Sequence, residues 1–263
     1  MLIVKIGGGS RINLEGIVAD LKDIDQPCII VHGANVLRDE VARKMGIEKQ
    51  VVTSIKGFSS VFSDQPALDA ILMSYSGLRN KRIVELCQQQ GINAIGLTGI
   101  DGRLIQGKRN RGIRVEENGK KMLKKDFSGK PVSINLKLLQ SLLDGGFLPV
   151  ITIPICDEDG FAINSENDDI VNCLQQATGA DTILQLIEAP GFLENADQPD
   201  SIVTAFTRQE IASLLEQVDG RMKRKIHALS KMAGGNVKTI VISDGRVDHP
   251  VREALAGGGT WIQ

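Results

Sequence analysis

Apolar runs of a few residues, each closed by glycine and followed by a helix-spaced stretch, open this chain and then recur along it. The first is residues 2–10, LIVKIGGGS. Leu2, Ile3 and Val4 read as a strand buried on both faces, the pattern of a parallel sheet. Leu14, Ile17, Val18 and Leu21 then fall at i, i+3, i+4 and i+7, which predicts an amphipathic helix that Pro27 ends. A second strand over 28–31 runs into His32-Gly33-Ala34-Asn35. Val36, Leu37, Val41 and Met45 mark the helix after it, stopped by Gly46. This β-α-β-α order calls for a parallel sheet with right-handed crossovers.

The rhythm continues with a long helix over 64–90, a strand over 92–97, a helix over 133–143 and a strand over 147–155. Asn164, Ser165, Glu166, Asn167 and Asp168 form the acidic start of a helix running to 176. Further strands are expected over 181–187, 237–242 and 259–262. Thr207 and Glu210 make a capping box, Met222, Ile226 and Leu229 give the stripe of a later helix, and Pro250 starts the last one. The expected fold is α/β, an open, mostly parallel sheet sandwiched by helices. A lobe boundary near Gly179 divides it into residues 1–178 and 179–263. Residues 101–130 break the rhythm with short antiparallel strands turned at Asn118-Gly119. They hold ten lysines and arginines against four acidic residues. That reads equally as a solvated hairpin or as a positive patch for an acidic partner.

Composition narrows the function by exclusion. A net charge of −1 over 263 residues, with both signs interspersed, gives no general affinity for nucleic acid or membrane. The longest nearly apolar run, 146–156, is too short to span a bilayer and contains Pro149 and Pro154. Cys28, Cys87, Cys156 and Cys173 show no C-x-x-C spacing and read as small buried hydrophobes in a reducing compartment. With no basic segment leading an apolar core at the N-terminus, a cytoplasmic location is expected.

Chemistry is expected at the carboxyl ends of the parallel strands, where such sheets bind ligands. Lys5 and Gly7, Gly8 and Gly9 end the first strand, Gly33 and Ala34 follow the second, and Asn164, Glu166 and Asp168 follow a later one. A cation beside exposed backbone N–H groups is suited to a polyanion, though the stretch alone reads as well as a turn with Lys5 reaching solvent. Lys5 precedes its glycines, so this is not the phosphate-loop NTPase motif, and Ile12 stands where the dinucleotide fingerprint needs a small residue. The fourth piece is Gly220-Arg221-Met222-Lys223-Arg224-Lys225, which sets Lys225 on or beside the apolar stripe.

Those strings together resemble the amino acid kinase family from end to end: V-K-I-G-G-G at the start, V-H-G after the second strand, Asn164, Glu166 and Asp168, and G-x-M-x-x-K ending at Lys225. Within it, Y-x-G-L-x-N-K-R over 75–82, N-A-I-G-L-x-G-x-D-G-R-L over 93–104 and R-M-K-R-K over 221–225 are most similar to the acetylglutamate kinases. The match is nearest to the lysine-pathway branch, acting on aminoadipate or glutamate attached to an amino-group carrier protein. The resemblance implies the amino acid kinase fold and ATP-dependent phosphorylation of a side-chain carboxylate to an acyl phosphate. It gives Lys5 and Lys225 the transferring phosphoryl group, with Asp168 orienting them. Gly7, Gly8 and Gly33 would hold phosphate oxygens, while Gly33, Ala34, Asn164 and Glu166 bind the substrate. Gly191 and Met222 would contact the nucleotide. Mg2+ would arrive with ATP, with no metal cage in the protein. A small acidic carrier would land on the basic stretch, helped by Arg79, Lys81 and Arg82, and a homodimer is expected.

Three departures stand out. The family's substrate-binding arginine falls on Val61, leaving Lys56 or a partner to replace it. The second glycine of the V-H-G-G motif is Ala34, tolerable only at negative φ. Ile187-Glu188 stand where the family has Ser or Thr followed by Asp or Asn. A kinase with a shifted substrate is the reading that fits.

Overall fold

The computed structural model describes the backbone of residues 1–263 except 49, 54–58, 111, 118–119, 196–197, 199 and 218–219. Side chains are further left undescribed at 51–53, 59–61, 113–117, 120–121, 215–217, 220–225 and 228. Eight strands form the main sheet: β1 (Leu2–Ile6), β2 (Cys28–His32), β3 (Ala94–Thr98), β4 (Leu148–Thr152), β5 (Thr182–Ile187), β6 (Ala205–Phe206), β7 (Thr239–Asp244) and β8 (Thr260–Ile262). Their spatial order is β6-β8-β7-β5-β1-β2-β4-β3. All neighbours run parallel except β7 and β8, so the last strand reverses the expected direction.

The period of two along each strand divides the interior into two cores. On β1, Leu2, Val4 and Ile6 enter one core with α1 (Leu14–Leu21) and Ile83 and Cys87, while Ile3 enters the other. Lys5 shares the parity of Ile3. That second core is built by Ile170, Val171 and Leu174 of α6 (Asn167–Thr178) and Ile226, Leu229 and Met232 of the helix Gly220–Ala233. β1 and β2 carry apolar side chains buried on both sides, which is why their runs are continuous rather than alternating.

Helix ends follow their local chemistry. Asn13 accepts from Gly16 N at 3.0 Å, and Thr207 and Glu210 close the anticipated capping box, with Thr207 N donating to Glu210 Oε2 at 2.7 Å. Gly179 ends α6 at φ 67°, where a side chain would be strained. Two boundaries differ from expectation. The helix placed over 133–143 spans Leu136–Asp144, because Gly129–Ile134 pairs with Ile105–Arg109 in a second sheet and Asn135 caps the helix that follows. The helix placed over 64–90 is three pieces, Gln65–Ile71, a π-helical turn Leu72–Arg79, and α4 (Asn80–Gln89). The antiparallel strands expected over 101–130 include the pair Ile113–Glu117 and Lys120–Lys124; Asn118 and Gly119 lie outside the described residues.

Candidate active site

Parallel pairing brings the carboxyl ends of β1 and β2 to one level, Ile6 opposite His32. The loops that follow are pressed together backbone to backbone. A Cβ added to Gly8 would stand 2.6 Å from Asn35 N and 2.8 Å from Ala34 N; one added to Gly33 would stand 3.0 Å from Gly8 N. Only glycine permits that approach. Gly7 N donates to Leu186 O at 2.9 Å, which anchors the start of the loop to β5. Ala34 has φ −151°, so its methyl group is accommodated as the negative-φ condition requires. It precedes α2 (Asn35–Lys44), whose first residue accepts a hydrogen bond through Asn35 Oδ1 from the buried Tyr75 hydroxyl. Tyr75 lies in the π-helical turn, a rare distortion that recurs at functional sites.

Lys5 leaves β1 toward the first turn of α6. Its Nζ lies 2.9 Å from Asp168 Oδ1, with the lysine side chain only 15% exposed. The contact is an ion pair rather than an aligned hydrogen bond, since Asp168 Oδ1 otherwise has no hydrogen-bond partner. Ser165 Oγ and Asn167 Oδ1 are likewise buried without one among the described residues. Two orphaned oxygens at one helix entrance, beside the Lys5–Asp168 pair and a glycine cradle, suit a ligand that brings its own donors or cations. Glu166 is exposed at the N-cap of the same helix.

The helix Gly220–Ala233 (α8 in chain order, after the helix Arg208–Gln217) runs alongside α6. Lys231 pairs with Asp169 at 3.3 Å, and Gly235, just beyond the helix end, abuts Gln175. The two helices therefore run in the same sense, and the backbone of Lys225 stands roughly 9 Å up the axis from Lys231, toward the end of α6 where Asp168 lies. The side chains of Lys225 and Met222 fall outside the described residues.

Asn164 is held by a network that the sequence motifs do not show. Its Nδ2 donates to Ser63 Oγ at 3.0 Å, and Ser63 N donates to Asp126 Oδ1 at 2.9 Å. Ser128 Oγ donates to Asp126 Oδ2 and accepts from Asn110 Nδ2 at 2.7 Å. Beside this network lies a cavity of about 320 Å3 lined by Arg109, Asn110, Lys125, Asp126 and Glu158. Arg109 stacks on Phe127 at 4.3 Å. The small polar residues were hidden because each is unremarkable in sequence, and only the crossing of 63, 126–128 and 164 joins them. The side chains of Lys56 and Val61 lie outside the described residues.

Glu188 has a place of its own. Its carboxylate lies over Gly9, where an added Cβ would come within 2.4 Å of both oxygens, and Arg11 N donates to Oε1 at 2.6 Å. It thus occupies the Arg11 N–H just after the glycine loop. Gly191 is buried beneath Thr260 and Ile202, its own missing Cβ 2.7 Å from Thr260 Oγ1. His32, next to the cradle in sequence, points to the other core. It is wholly buried, accepts from Asn80 Nδ2 at Nε2 (3.1 Å), and burial lowers its pKa to about 3, so it stays neutral. Of the arginines and lysine offered with the basic stretch, Arg82 pairs with Glu85, Lys81 donates to Gly96 O, and Arg79 is turned inward. Lys81 and Arg82 remain exposed, while Arg79 is withdrawn from that surface. No metal-binding group of three His, Cys, Asp or Glu occurs among the described residues, and no described helix is long and apolar enough to cross a membrane.

Comparison with known proteins places these features in context. A model of the amino acid kinase family matches residues 1–244. A LysW-aminoadipate kinase of Thermus thermophilus is 37% identical, with both chains covered in full. A protein of the same name from Deinococcus radiodurans is 36% identical over all of this chain and 91% of its own. An acetylglutamate kinase of Methanopyrus kandleri is 30% identical, again over both full lengths. Among solved structures, a Giardia carbamate kinase superposes with TM-score 0.69 at 14% identity, covering 100% of this chain and 98% of that one. An N-acetylglutamate synthase of Neisseria gonorrhoeae gives TM-score 0.78 at 18% identity over 99% of this chain, which spans 58% of the synthase. At such identities the structural matches speak for the fold alone.

Proposed function

The chain belongs to the amino acid kinase family, and from that premise we propose that it moves the γ-phosphoryl group of ATP onto the side-chain carboxylate of an amino acid carried by a small acidic protein. The carried residue is aminoadipate or glutamate, as in the relatives named LysW-aminoadipate kinase and LysW-aminoadipate/LysW-glutamate kinase. The observation that carries the reading is the Lys5–Asp168 pair standing beside the Gly8–Gly33 backbone cradle.

The chemistry suits these residues. A carboxylate is already ionised at neutral pH, so the acceptor needs no general base, and the buried neutral His32 is not asked to be one. One carboxylate oxygen bonds to the γ-phosphorus as the bond to the leaving ADP oxygen breaks. The obstacle is the approach of an anion to a triphosphate, which fixed donors and ammonium groups relieve. Lys5 and Lys225 take the developing charge, Asp168 orients Lys5, and Gly7, Gly8 and Gly33 offer backbone N–H groups. Ala34, Asn164 and Glu166 border the amino acid, and Gly191 and Met222 border the nucleotide. Mg2+, bound with the phosphates, would supply further neutralisation, and the orphaned oxygens of Ser165 and Asn167, beside the Asp168 carboxylate, fit its hydration shell.

Residues 1–178 serve the amino acid and the phosphates, and 179–263 the nucleotide. Arg109 and Lys125 stand in for the arginine missing at Val61, reached from Asn164 through Ser63 and Asp126. The basic stretch around them receives the acidic carrier. The chain is a cytoplasmic enzyme of lysine or arginine biosynthesis and a homodimer.

Hydroxylamine trapping with ATP tests the proposal on three acceptors: carrier-bound aminoadipate or glutamate, the free amino acids, and free N-acetylglutamate. Hydroxamate from the carrier-bound acceptor alone is expected. Hydroxamate from free acetylglutamate would make this an acetylglutamate kinase like that of Methanopyrus kandleri. ATP binding without hydroxamate from any acceptor would make it a nucleotide sensor.

A further inference from the structure

Arg79 ends the π-helical turn with a charge that nothing nearby uses. Its Nε and Nη2 are buried and meet no acceptor among the described residues. Those two donors form one edge of the guanidinium, the edge that grips both oxygens of a carboxylate at once. The carboxylates of Glu15 and Glu188 favour its charge from a distance, yet burial outweighs them and holds its pKa below the ordinary arginine value. Beside it opens a cavity of about 450 Å3, within the size range of small-molecule sites. Leu14 and Glu15 of α1, Leu37 of α2, Leu78 and Arg79 of the π-helical turn and Leu86 of α4 contribute to its wall, together with the mutually paired Arg82 and Glu85. The cavity is distinct from the phosphate cradle, but α1 and α2 begin where the two loops of that cradle end.

We propose that this cavity binds a short aliphatic monocarboxylate, its oxygens taken by the Nε and Nη2 edge of Arg79 and its hydrocarbon body lying against Leu14, Leu37, Leu78 and Leu86. Glu15 on the same wall disfavours a dianion such as phosphate. It also separates two sources of the same group: a zwitterionic amino acid, whose ammonium would face Glu15, and a simple aliphatic acid. The inference does not depend on which acceptor the enzyme phosphorylates.

Calorimetric titration of the full chain with hexanoate, L-norleucine, hexylamine and inorganic phosphate tests it. A carboxylate Kd below about 1 mM is expected, with neither hexylamine nor phosphate binding outside the nucleotide site. Arg79→Met should weaken carboxylate binding at least about tenfold, yet leave the unliganded unfolding temperature equal or higher, because a buried unpaired charge has gone. Leu78→Trp, which fills the cavity with Arg79 intact, should also abolish binding and guards against a misfolded Arg79 variant. Norleucine tighter than hexanoate, with the preference lost in Glu15→Gln, assigns the site to amino acids; the reverse order assigns it to simple acids. The inference is overturned if neither carboxylate binds, or if both variants bind as the parent does. It is equally overturned if Arg79→Met only alters the oligomeric state, which would give the guanidinium edge to a second copy.

Discussion

Strands β1 and β2 lie side by side, and near their carboxyl ends Lys5 stands opposite Val31 while His32, one residue further along, stands opposite Ile6; the two polar side chains have opposite fates. Lys5 has the parity of Ile3 and faces α6, where Asp168 meets it and part of its side chain reaches solvent. His32 has the parity of Cys28 and Ile30 and faces the α1 and α4 core, where Asn80 holds it, wholly buried and neutral. A shift of one residue along a strand exchanges the two faces. The position of a polar residue at a strand end therefore does not decide whether it does chemistry; the face does.

The largest test of that contrast is Lys5→Met, expected to lower kcat by about 10²–10³ while the unfolding temperature stays within a few degrees. Steady-state kinetics with a melting curve decides it, and a large loss of stability would erase the contrast. Gly8→Ala comes next. Its methyl group would meet Asn35 N, spreading the two loops, and a shift of that size costs about 10² in rate, read as kcat at saturating ATP. Asp168→Asn, which removes the orienting charge and leaves the lysine, should cost about tenfold, and the loss should lessen as ionic strength rises.

On the other face the expected signs reverse. Asn80→Ala leaves His32 Nε2 without its donor and should cost about 1–3 kcal/mol in urea unfolding, with kcat nearly unchanged. The smallest effect near neutrality is that of pH. The folded pKa of His32, about 3, lies below the ordinary histidine value of 6.5, so the unfolded state binds the proton first. Its contribution is complete above about pH 6.5 and is lost as pH falls toward 3. Melting temperatures between pH 7 and 4 should drop less steeply in His32→Gln than in the parent. An acid-dependent kcat that vanished in that variant would bring His32 back into the chemistry.

Local signals account for what could be read ahead of the structure. Continuous apolar runs marked the buried strands, the glycines of the first loop proved indispensable where backbones meet, and Lys5 and Asp168, 163 positions apart, were brought together as the convergence of strand ends required. Other features left no local trace. Residues 133–134 carry nothing that distinguishes the end of a strand from the start of a helix until 105–109 lies alongside. Glu188 differs from the family pattern, but only the fold shows its carboxylate over Gly9. Arg79 looked like one more surface cation in a basic run, and its burial comes from the π-helical turn and from α1 packing against α4.

By itself the sequence determined the layered α/β architecture and the glycine loops at the strand ends, because hydrophobic period, backbone permissiveness and capping act over a few residues. The tertiary structure alone decided which polar groups are paired, sealed or left with open hydrogen-bonding edges. Those outcomes depend on distance and burial between segments far apart in the chain, and no short window of residues contains them.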